Sequence, residues 1–249
     1  MNIKIAVAGK GGVGKTTFCA FLIKELINQN KTPLLAIDAD PNSNLAQLLG
    51  IKYETTIADI REEIRENKNI PASMAKSDYI DMKLNEIIVE GKGADFIAMG
   101  RPEGKECYCY INELLRGFLA KISKQYSTIV IDNEAGMEHL SRRTTENIDY
   151  LFIVADTSVT GLRSAMNVYN LSEKLKLKIG NIFLVLNKVK DTFVLPAGIL
   201  NNSLKIIGNL PYRDAILSNS EKGLPAENSA ENAPYTDELQ EILKKSGII

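Results

Sequence analysis

A glycine-rich stretch near the start of the chain has the sequence Gly9-Lys10-Gly11-Gly12-Val13-Gly14-Lys15-Thr16-Thr17. It satisfies the phosphate-loop pattern G-x-x-x-x-G-K-[ST], which is informative only between a strand and a helix. Residues 3–8 before it are short and apolar, and Phe18, Leu22 and Leu26 after it share one face of a helical period. The stretch is therefore predicted to join a buried strand to a helix and to bind phosphate groups.

The residue types in this loop suit a nucleoside triphosphate and its magnesium ion. Glycines let backbone N–H groups approach phosphate oxygens, and the helix N-terminus adds a favourable dipole. Lys15 supplies a positive charge for the terminal phosphates, and the Thr16 hydroxyl is a suitable Mg²⁺ ligand. We therefore expect residues 9–17 to hold the phosphates, with Lys15 taking part in their hydrolysis.

Six further apolar stretches alternate with helical patterns along the chain. They lie at residues 34–37, 96–99, 128–131, 151–155, 182–186 and 204–207. Their lack of polar alternation is typical of strands buried on both faces, as in parallel sheets covered by helices. The pattern predicts a doubly wound α/β fold with a mainly parallel sheet and helices on both faces, formed by residues 1–249 as a single domain.

Helical periods lie between these strands. They are carried by Ile57, Ile60 and Ile64, and then by Leu114, Leu115, Phe118, Leu119 and Ile122. The polar stretch at residues 219–235 is expected to be a surface loop that precedes a short final helix at residues 237–245.

The composition is that of an ordinary globular protein and excludes several classes of function. Hydrophobic residues make up 45% and charged residues 24%, with a net charge of −1 at pH 7. This balance argues against a protein that coats nucleic acid or an acidic membrane. No apolar run approaches the ~18 residues of a membrane span, and the amino terminus enters a strand without room for a signal peptide. We expect a cytoplasmic protein with neither a nucleic-acid nor a membrane partner.

Lys10 is a second lysine that an ordinary phosphate loop does not require. With it, the loop resembles that of the MinD/ParA/nitrogenase-iron-protein class of P-loop ATPases. The resemblance implies that Lys10 reaches across a dimer interface to the partner's nucleotide, that Asp40 orients the attacking water, and that Gly136 belongs to a second switch segment. Asp132 ends an apolar strand, residues 129–131, in the form that holds the Mg²⁺ shell.

The base is predicted from the sequence Asn187-Lys188-Val189-Lys190, which follows a buried strand where GTPases carry Asn-Lys-x-Asp. Lys190 stands in place of the aspartate that accepts hydrogen bonds from guanine. Asn187 can still pair with the edge of adenine through one donor and one acceptor. The resemblance adds the loop around Pro211 to the adenine site. ATP is therefore the expected nucleotide.

The sequence Cys107-Tyr108-Cys109 separates this chain from generic members of the class. Thiolates bind Zn²⁺ and other soft or borderline metals, and a closed structural site normally has four ligands. Cys19 is expected to be a small core residue, and His139 a local hydrogen-bonding residue. Two copies of the pair across a two-fold axis would supply four thiolates, although a redox pair or two incidental cysteines are the alternatives.

Together, the phosphate loop, the cysteine pair and the run Asp132-Asn133-Glu134-Ala135-Gly136-Met137-Glu138-His139-Leu140-Ser141-Arg142 resemble the CooC-type nickel-insertion ATPases of carbon monoxide dehydrogenase and the sister group AcsF of acetyl-CoA synthase. The resemblance extends from the phosphate loop to Pro211. It implies an ATP-dependent homodimer that binds Ni²⁺ or Zn²⁺ through Cys107 and Cys109 and matures one of those apo-enzymes.

Two other functions are compatible with the class. One is a MinD- or ParA-like positioning ATPase, which would need a basic amphipathic anchor or a basic DNA-binding face. The final helix is short and balanced in charge, and the net charge gives no sign of a DNA-binding face. The other is an iron–sulfur ATPase, in which the ligating cysteines are well separated along the chain rather than one residue apart.

Overall fold

The computed structural model describes residues 2–40, 44–66, 70–71, 73–101, 117–134, 147–175, 177–201, 203–227 and 229–249. The strands described there form one seven-stranded sheet in the order β3-β2-β4-β1-β5-β6-β7, and every pair of neighbours is parallel. Their bounds are β1 Ile3–Gly9, β2 Leu34–Ala39, β3 Ala94–Ala98, β4 Thr128–Asn133, β5 Ile148–Asp156, β6 Ile179–Val189 and β7 Lys205–Pro211. Each of the seven predicted apolar stretches overlaps one strand, so the predicted sheet is confirmed.

Helices lie between most of the strands. They are α1 Lys15–Asn28, α2 Leu45–Leu49, α3 Ile57–Arg65, α4 Lys76–Glu86, α5 Val159–Lys174, α6 Asp214–Glu221 and α7 Ala233–Ser246. Residues 117–122 are also helical, and 3₁₀ turns lie at Ser123–Gln125 and Ala230–Asn232. The helical periods of α1 and α3 are confirmed, as is the part of the third that falls within residues 117–122.

The two faces of the sheet are covered by different helices, because successive strand residues point to opposite sides. In β4, Val130 packs in the cluster that contains α1 and α7. Its neighbours Ile129 and Ile131 pack in the cluster that contains α3 and α4. On that second face, α5 covers β1 and β5. Helices therefore cover both faces, as in a doubly wound fold.

The predicted surface loop at residues 219–235 is wrong at its two ends, which are helical, whereas residues 222–227 form a loop in which only Ala226 is buried. Helix α6 continues to Glu221, and α7 begins at Ala233. Between them, the Ala226 N–H donates to the Leu48 carbonyl at 2.8 Å, and the Ala226 carbonyl accepts a hydrogen bond from Lys24 Nζ. Tyr235 is buried against Phe21, with ring centroids 4.9 Å apart. The contacts of Ala226 anchor this loop, which we call the 222–227 strap, to α1 and α2.

The carboxyl ends of the parallel strands meet at one edge of the sheet. The phosphate loop follows β1 at the centre, between β4 and β5, and Asn187 and Pro211 lie at the ends of β6 and β7. Ligands of open α/β sheets bind at this edge. None of the helices in the described ranges has the length and apolarity needed to cross a membrane.

Candidate nucleotide-binding site

A cleft of about 690 Å³ opens at the carboxyl edge of the sheet, within the usual size of small-molecule sites. The predicted site residues that line it are Gly11, Gly12, Gly14, Lys15, Thr16, Thr17, Asp40, Asn187 and Pro211. Gly9, Val13 and Asp132 are buried, whereas Lys10 is exposed. Most of the residues predicted separately along the chain are thus brought together around one cleft, and their contact with a nucleotide remains a prediction.

The phosphate loop ends at Gly14, which caps α1 in a left-handed conformation with φ of 92°. An L-residue rarely adopts this φ, and a methyl group here would collide with Asn187 Nδ2. Glycine is therefore required at this position both by the backbone and by the close approach of β6. This places the first turn of α1 directly against the end of β6.

Three carbonyl groups of the loop accept hydrogen bonds from polar side chains. Lys15 Nζ donates to the Lys10 carbonyl at 3.3 Å, and Asn187 Nδ2 donates to the Val13 carbonyl at 2.9 Å. Lys188 Nζ donates to the Gly12 carbonyl at 2.8 Å. A loop whose N–H groups converge on phosphate must satisfy its carbonyls elsewhere, and these donors do so.

Asp38 is a buried carboxylate that sequence reasoning did not single out. Its oxygens accept hydrogen bonds from the backbone N–H groups of Asp40, at 3.1 Å, and Leu45, at 2.9 Å. These bonds fix the backbone at Asp40 and at Leu45. The sequence shows that Asp38, like Asp132, follows an apolar run, but it does not show that the two residues lie on neighbouring strands.

Asp38 and Asp132 lie side by side in register on β2 and β4, and both are fully buried. Burial, followed by repulsion from Asp132, raises the pKa of Asp38 to about 7. Burial also raises the pKa of Asp132 to about 6, although the Thr16 hydroxyl and the Lys15 ammonium lower it. Two neighbouring acids in a dry environment resist simultaneous ionisation unless a cation joins them.

The Asp132 carboxylate fits a magnesium site by its chemistry. Neither of its oxygens accepts a well-formed hydrogen bond within the described part of the chain. Thr16, at the first turn of α1, is close enough to lower the pKa of Asp132. Carboxylate and hydroxyl oxygens are the ligands that Mg²⁺ prefers, so Thr16 and Asp132 are the residues that would hold it.

At the predicted base end of the cleft, the Asn187 amide keeps only part of its hydrogen-bonding capacity. One N–H of Nδ2 is used by the Val13 carbonyl, which leaves the second N–H and the carbonyl oxygen. Tyr212 and Arg213 line the cleft beside Pro211. Lys190 Nζ lies 5.7 Å from the centroid of the Tyr212 ring, within cation–π range. A lysine ammonium has no acceptor, so it cannot replace the aspartate that accepts hydrogen bonds from guanine.

The cysteine pair, Cys107 and Cys109, lies outside the described residues, as do Gly136 and His139. Within the described residues there is no group of three or more His, Cys, Asp or Glu side chains arranged to hold a metal. Cys19 is fully buried, as predicted, and burial raises the pKa of its thiol well above the usual value. A neutral thiol is a poor metal ligand.

Comparison with known proteins gives a consistent set of relatives. Residues 2–184 match the family model described as AAA domain. The chain is 44% identical to an uncharacterized ATP-binding protein of Methanocaldococcus jannaschii, over 97% of each chain. It is 30% identical to the carbon monoxide dehydrogenase accessory protein CooC of Rhodospirillum rubrum, over 89% of this chain and 88% of CooC.

Two solved structures illustrate the likeness in fold. The MinD cell division protein of Aquifex aeolicus has a TM-score of 0.70 at 22% identity, covering 100% of this chain and 98% of MinD. A putative plasmid partition protein of Borrelia burgdorferi bound to AMPPNP has a TM-score of 0.72 at 22% identity, with 98% of each chain covered. At this identity the match shows a shared fold.

Proposed function

Because the chain belongs to the AAA domain family and has the fold of the MinD/ParA P-loop ATPases, we propose that it uses ATP to deliver nickel to an apo-enzyme. The client would be carbon monoxide dehydrogenase or acetyl-CoA synthase. The observation that carries this proposal is the 30% identity to CooC along nearly the full length of both chains. The pair Cys107 and Cys109 in the sequence supports it, because two thiols suit a soft or borderline cargo ion.

The ATPase half of the proposal is supported by the arrangement of the cleft. Lys15 and the loop N–H groups would bind the phosphates, and Asp40 would orient the attacking water. Bound Mg²⁺ would neutralise charge on the phosphate oxygens. Asn187 and the loop around Pro211 would accept adenine, and Lys190 offers no acceptor for guanine. We therefore propose a Mg²⁺-dependent hydrolase with a preference for ATP over GTP.

The delivery half requires two copies of the chain. Each copy offers two thiols in the pair Cys107 and Cys109, and a closed four-thiolate site needs both copies. Ni²⁺ or Zn²⁺ would then bind at a stoichiometry of one ion per dimer. Because the ion would lie between subunits, ATP-driven changes in subunit packing would change its affinity, and the metal would change nucleotide affinity by the same factor.

The test combines metal analysis with size measurement. The wild-type chain is expected to bind one Ni²⁺ or Zn²⁺ per dimer, and Cys107→Ser or Cys109→Ser should abolish tight binding while leaving ATP affinity nearly unchanged. Cys19→Ser is the matched control, because it removes a buried thiol with a raised pKa and should leave metal binding intact. Tight metal binding that survives in the Cys107→Ser, Cys109→Ser double variant would contradict this ligand set.

Delivery itself is tested by activating the apo-enzymes. Apo carbon monoxide dehydrogenase and apo acetyl-CoA synthase are each mixed with nickel-loaded protein, with and without Mg·ATP. We expect one of them to gain activity with the wild-type chain and not with Lys15→Ala or Cys107→Ser. Activation of neither enzyme, combined with ATP-dependent binding to vesicles or DNA, would support the alternative of a MinD/ParA-like positioning ATPase. The observation that supports this alternative is the 26% identity to the septum site-determining protein MinD of Synechocystis.

A further inference from the structure

Lys188 has a backbone conformation that its residue type disfavours. Its φ is 57°, in the left-handed region, and the other non-glycine residues of the described chain with positive φ are Asn30 and Asn147. Asparagine tolerates this region, whereas lysine does so only when the surroundings impose it. Lys188 lies near the carboxyl end of β6, at an irregularity in its pairing with β7, and its Nζ lies 2.8 Å from the Gly12 carbonyl of the phosphate loop.

That contact controls the direction of a neighbouring N–H group. In a trans peptide the C=O and the following N–H point in opposite directions. A hydrogen bond from Lys188 to the Gly12 carbonyl therefore fixes the Val13 N–H on the other side of the peptide plane. The adjacent bond from Asn187 to the Val13 carbonyl fixes the Gly14 N–H in the same way.

Two consecutive residues of β6 thus hold two consecutive peptide units of the loop. Asn187 is buried and Lys188 is exposed at the rim of the cleft, where the Lys188 stem passes beside Gly14. Lys190, two residues later, contacts the Tyr212 ring instead and makes no such bond. The two lysines differ in what they touch although they lie at the same end of β6.

We propose that Lys188 is a positioning residue of the phosphate loop, which sets the direction of the Val13 N–H for the phosphate chain of the nucleotide. This inference rests on the proposed ATP site and adds a residue to it. Since Lys188 acts on the loop rather than on the base, its loss should weaken every ligand that carries the phosphate chain, whether or not a base is present.

The experiment measures the affinities of Mg·ATP and of Mg·tripolyphosphate, a probe without a base, by calorimetry on the full chain. Lys188→Met keeps the apolar stem and removes the donor, and it should weaken both ligands by the same factor, about fivefold to tenfold. Lys188→Arg restores a charged donor and should remain within about twofold of the wild type. Lys190→Met is the matched control and should change tripolyphosphate affinity by less than about twofold.

Lys188→Gly separates positioning from folding. Glycine adopts the left-handed conformation without strain, so the free energy of unfolding should be undiminished while tripolyphosphate affinity falls as in Lys188→Met. If tripolyphosphate affinity were unchanged in Lys188→Met, or fell equally in Lys190→Met, the role of Lys188 would be overturned while the proposed ATP site would stand. A wild-type chain that bound neither ligand would overturn both the inference and the proposed ATP site.

Discussion

At the scale of single residues, the buried pair of Asp38 and Asp132 makes the site sensitive to pH. The pKa of each is raised, to about 7 and about 6. The folded state therefore holds protons that the unfolded chain releases near pH 4. Stability from this source is fully present below about pH 4 and is lost as pH rises through about 6 to 7, above which it stays constant.

Asp132→Asn should stabilise the nucleotide-free chain at pH 8, because it removes one of two buried negative charges. We expect the free energy of unfolding to rise by about 1–3 kcal/mol at pH 8, with a smaller gain at pH 5. Urea unfolding in the presence of a chelator measures both values. The same variant should lose the stabilisation that Mg·ATP gives to the wild type. A fall in stability at pH 8 would show that the carboxylate makes favourable contacts that outweigh its burial.

Gly14 provides a test of the close approach between α1 and β6. Gly14→Ala combines a positive φ with a collision against Asn187, whereas Gly198→Ala has a φ of 75° and no neighbour within 4 Å. We expect the Gly198 variant to lose about 1 kcal/mol of stability and the Gly14 variant a further 1–3 kcal/mol or so. ATP affinity should fall at least about tenfold in the Gly14 variant alone. Equal losses of stability in the two variants would mean that Asn187 moves aside freely.

Sequence patterns predicted some residues of the site and missed others. The motif and the strands around it predict the roles of Lys15, Thr16 and Asp132, because each of these residue types has one role at its position in the motif. Asp38 and Lys188 were missed because their roles depend on which strands are neighbours. Asp38 matters through its register with Asp132, and Lys188 through the position of β6 beside the loop. Strand order is a tertiary property that local patterns do not carry.

At the scale of elements, the strands were predictable and some helices were not. The strands are apolar on both faces, which gives each of them a continuous signal. Helix α6 has no fully buried residue and so has no apolar period to detect. Helix α2 has five residues, too few for a period of its own. Both depend on contacts with other elements, which local sequence patterns do not show.

The strap holds α2, which is too short to be stable in isolation. The Ala226 N–H binds the Leu48 carbonyl at the end of α2, and Lys24 binds the Ala226 carbonyl from α1. Lys24→Met keeps the apolar stem but releases the strap. Amide hydrogen exchange should then become about threefold to tenfold faster in residues 45–49 and 222–227, and stay unchanged in α5. Lys174→Met on α5 is the control, and unchanged exchange in α2 with Lys24→Met would show that the strap does not hold it.

At the scale of the whole molecule, the exposed Lys10 points to an assembly of two copies. Its carbonyl binds Lys15 within the loop, but its side chain is exposed at the open edge of the sheet. Lys10→Ala therefore leaves the loop bond intact while it removes a charge available to a partner's nucleotide. We expect Mg·ATP-induced dimerisation to weaken about tenfold or more, as measured by ultracentrifugation.

The matched variant for dimerisation is Lys222→Ala, which removes an exposed lysine at the start of the 222–227 strap. It should leave association unchanged. The assignment of Lys10 to the interface would be rejected if both variants dimerised like the wild type. The assignment would also be contradicted if the dimer dissociation constant rose by the same factor in both variants. That result would indicate a general effect of net charge.

The central position of β1 has a consequence for how the protein is made. Among the described strands, β1 pairs with β4 and β5, and both are synthesised well after it, so Ile5 can pair with Val130 and Tyr150 only late in translation. Such distant pairing makes folding slow and leaves apolar strands exposed during translation. The phosphate loop is synthesised about 170 residues before Asn187 and Lys188, the residues whose side chains bond to its carbonyl groups. We therefore expect the phosphate loop of a nascent chain to reach its final conformation only after Asn187 and Lys188 have left the ribosome.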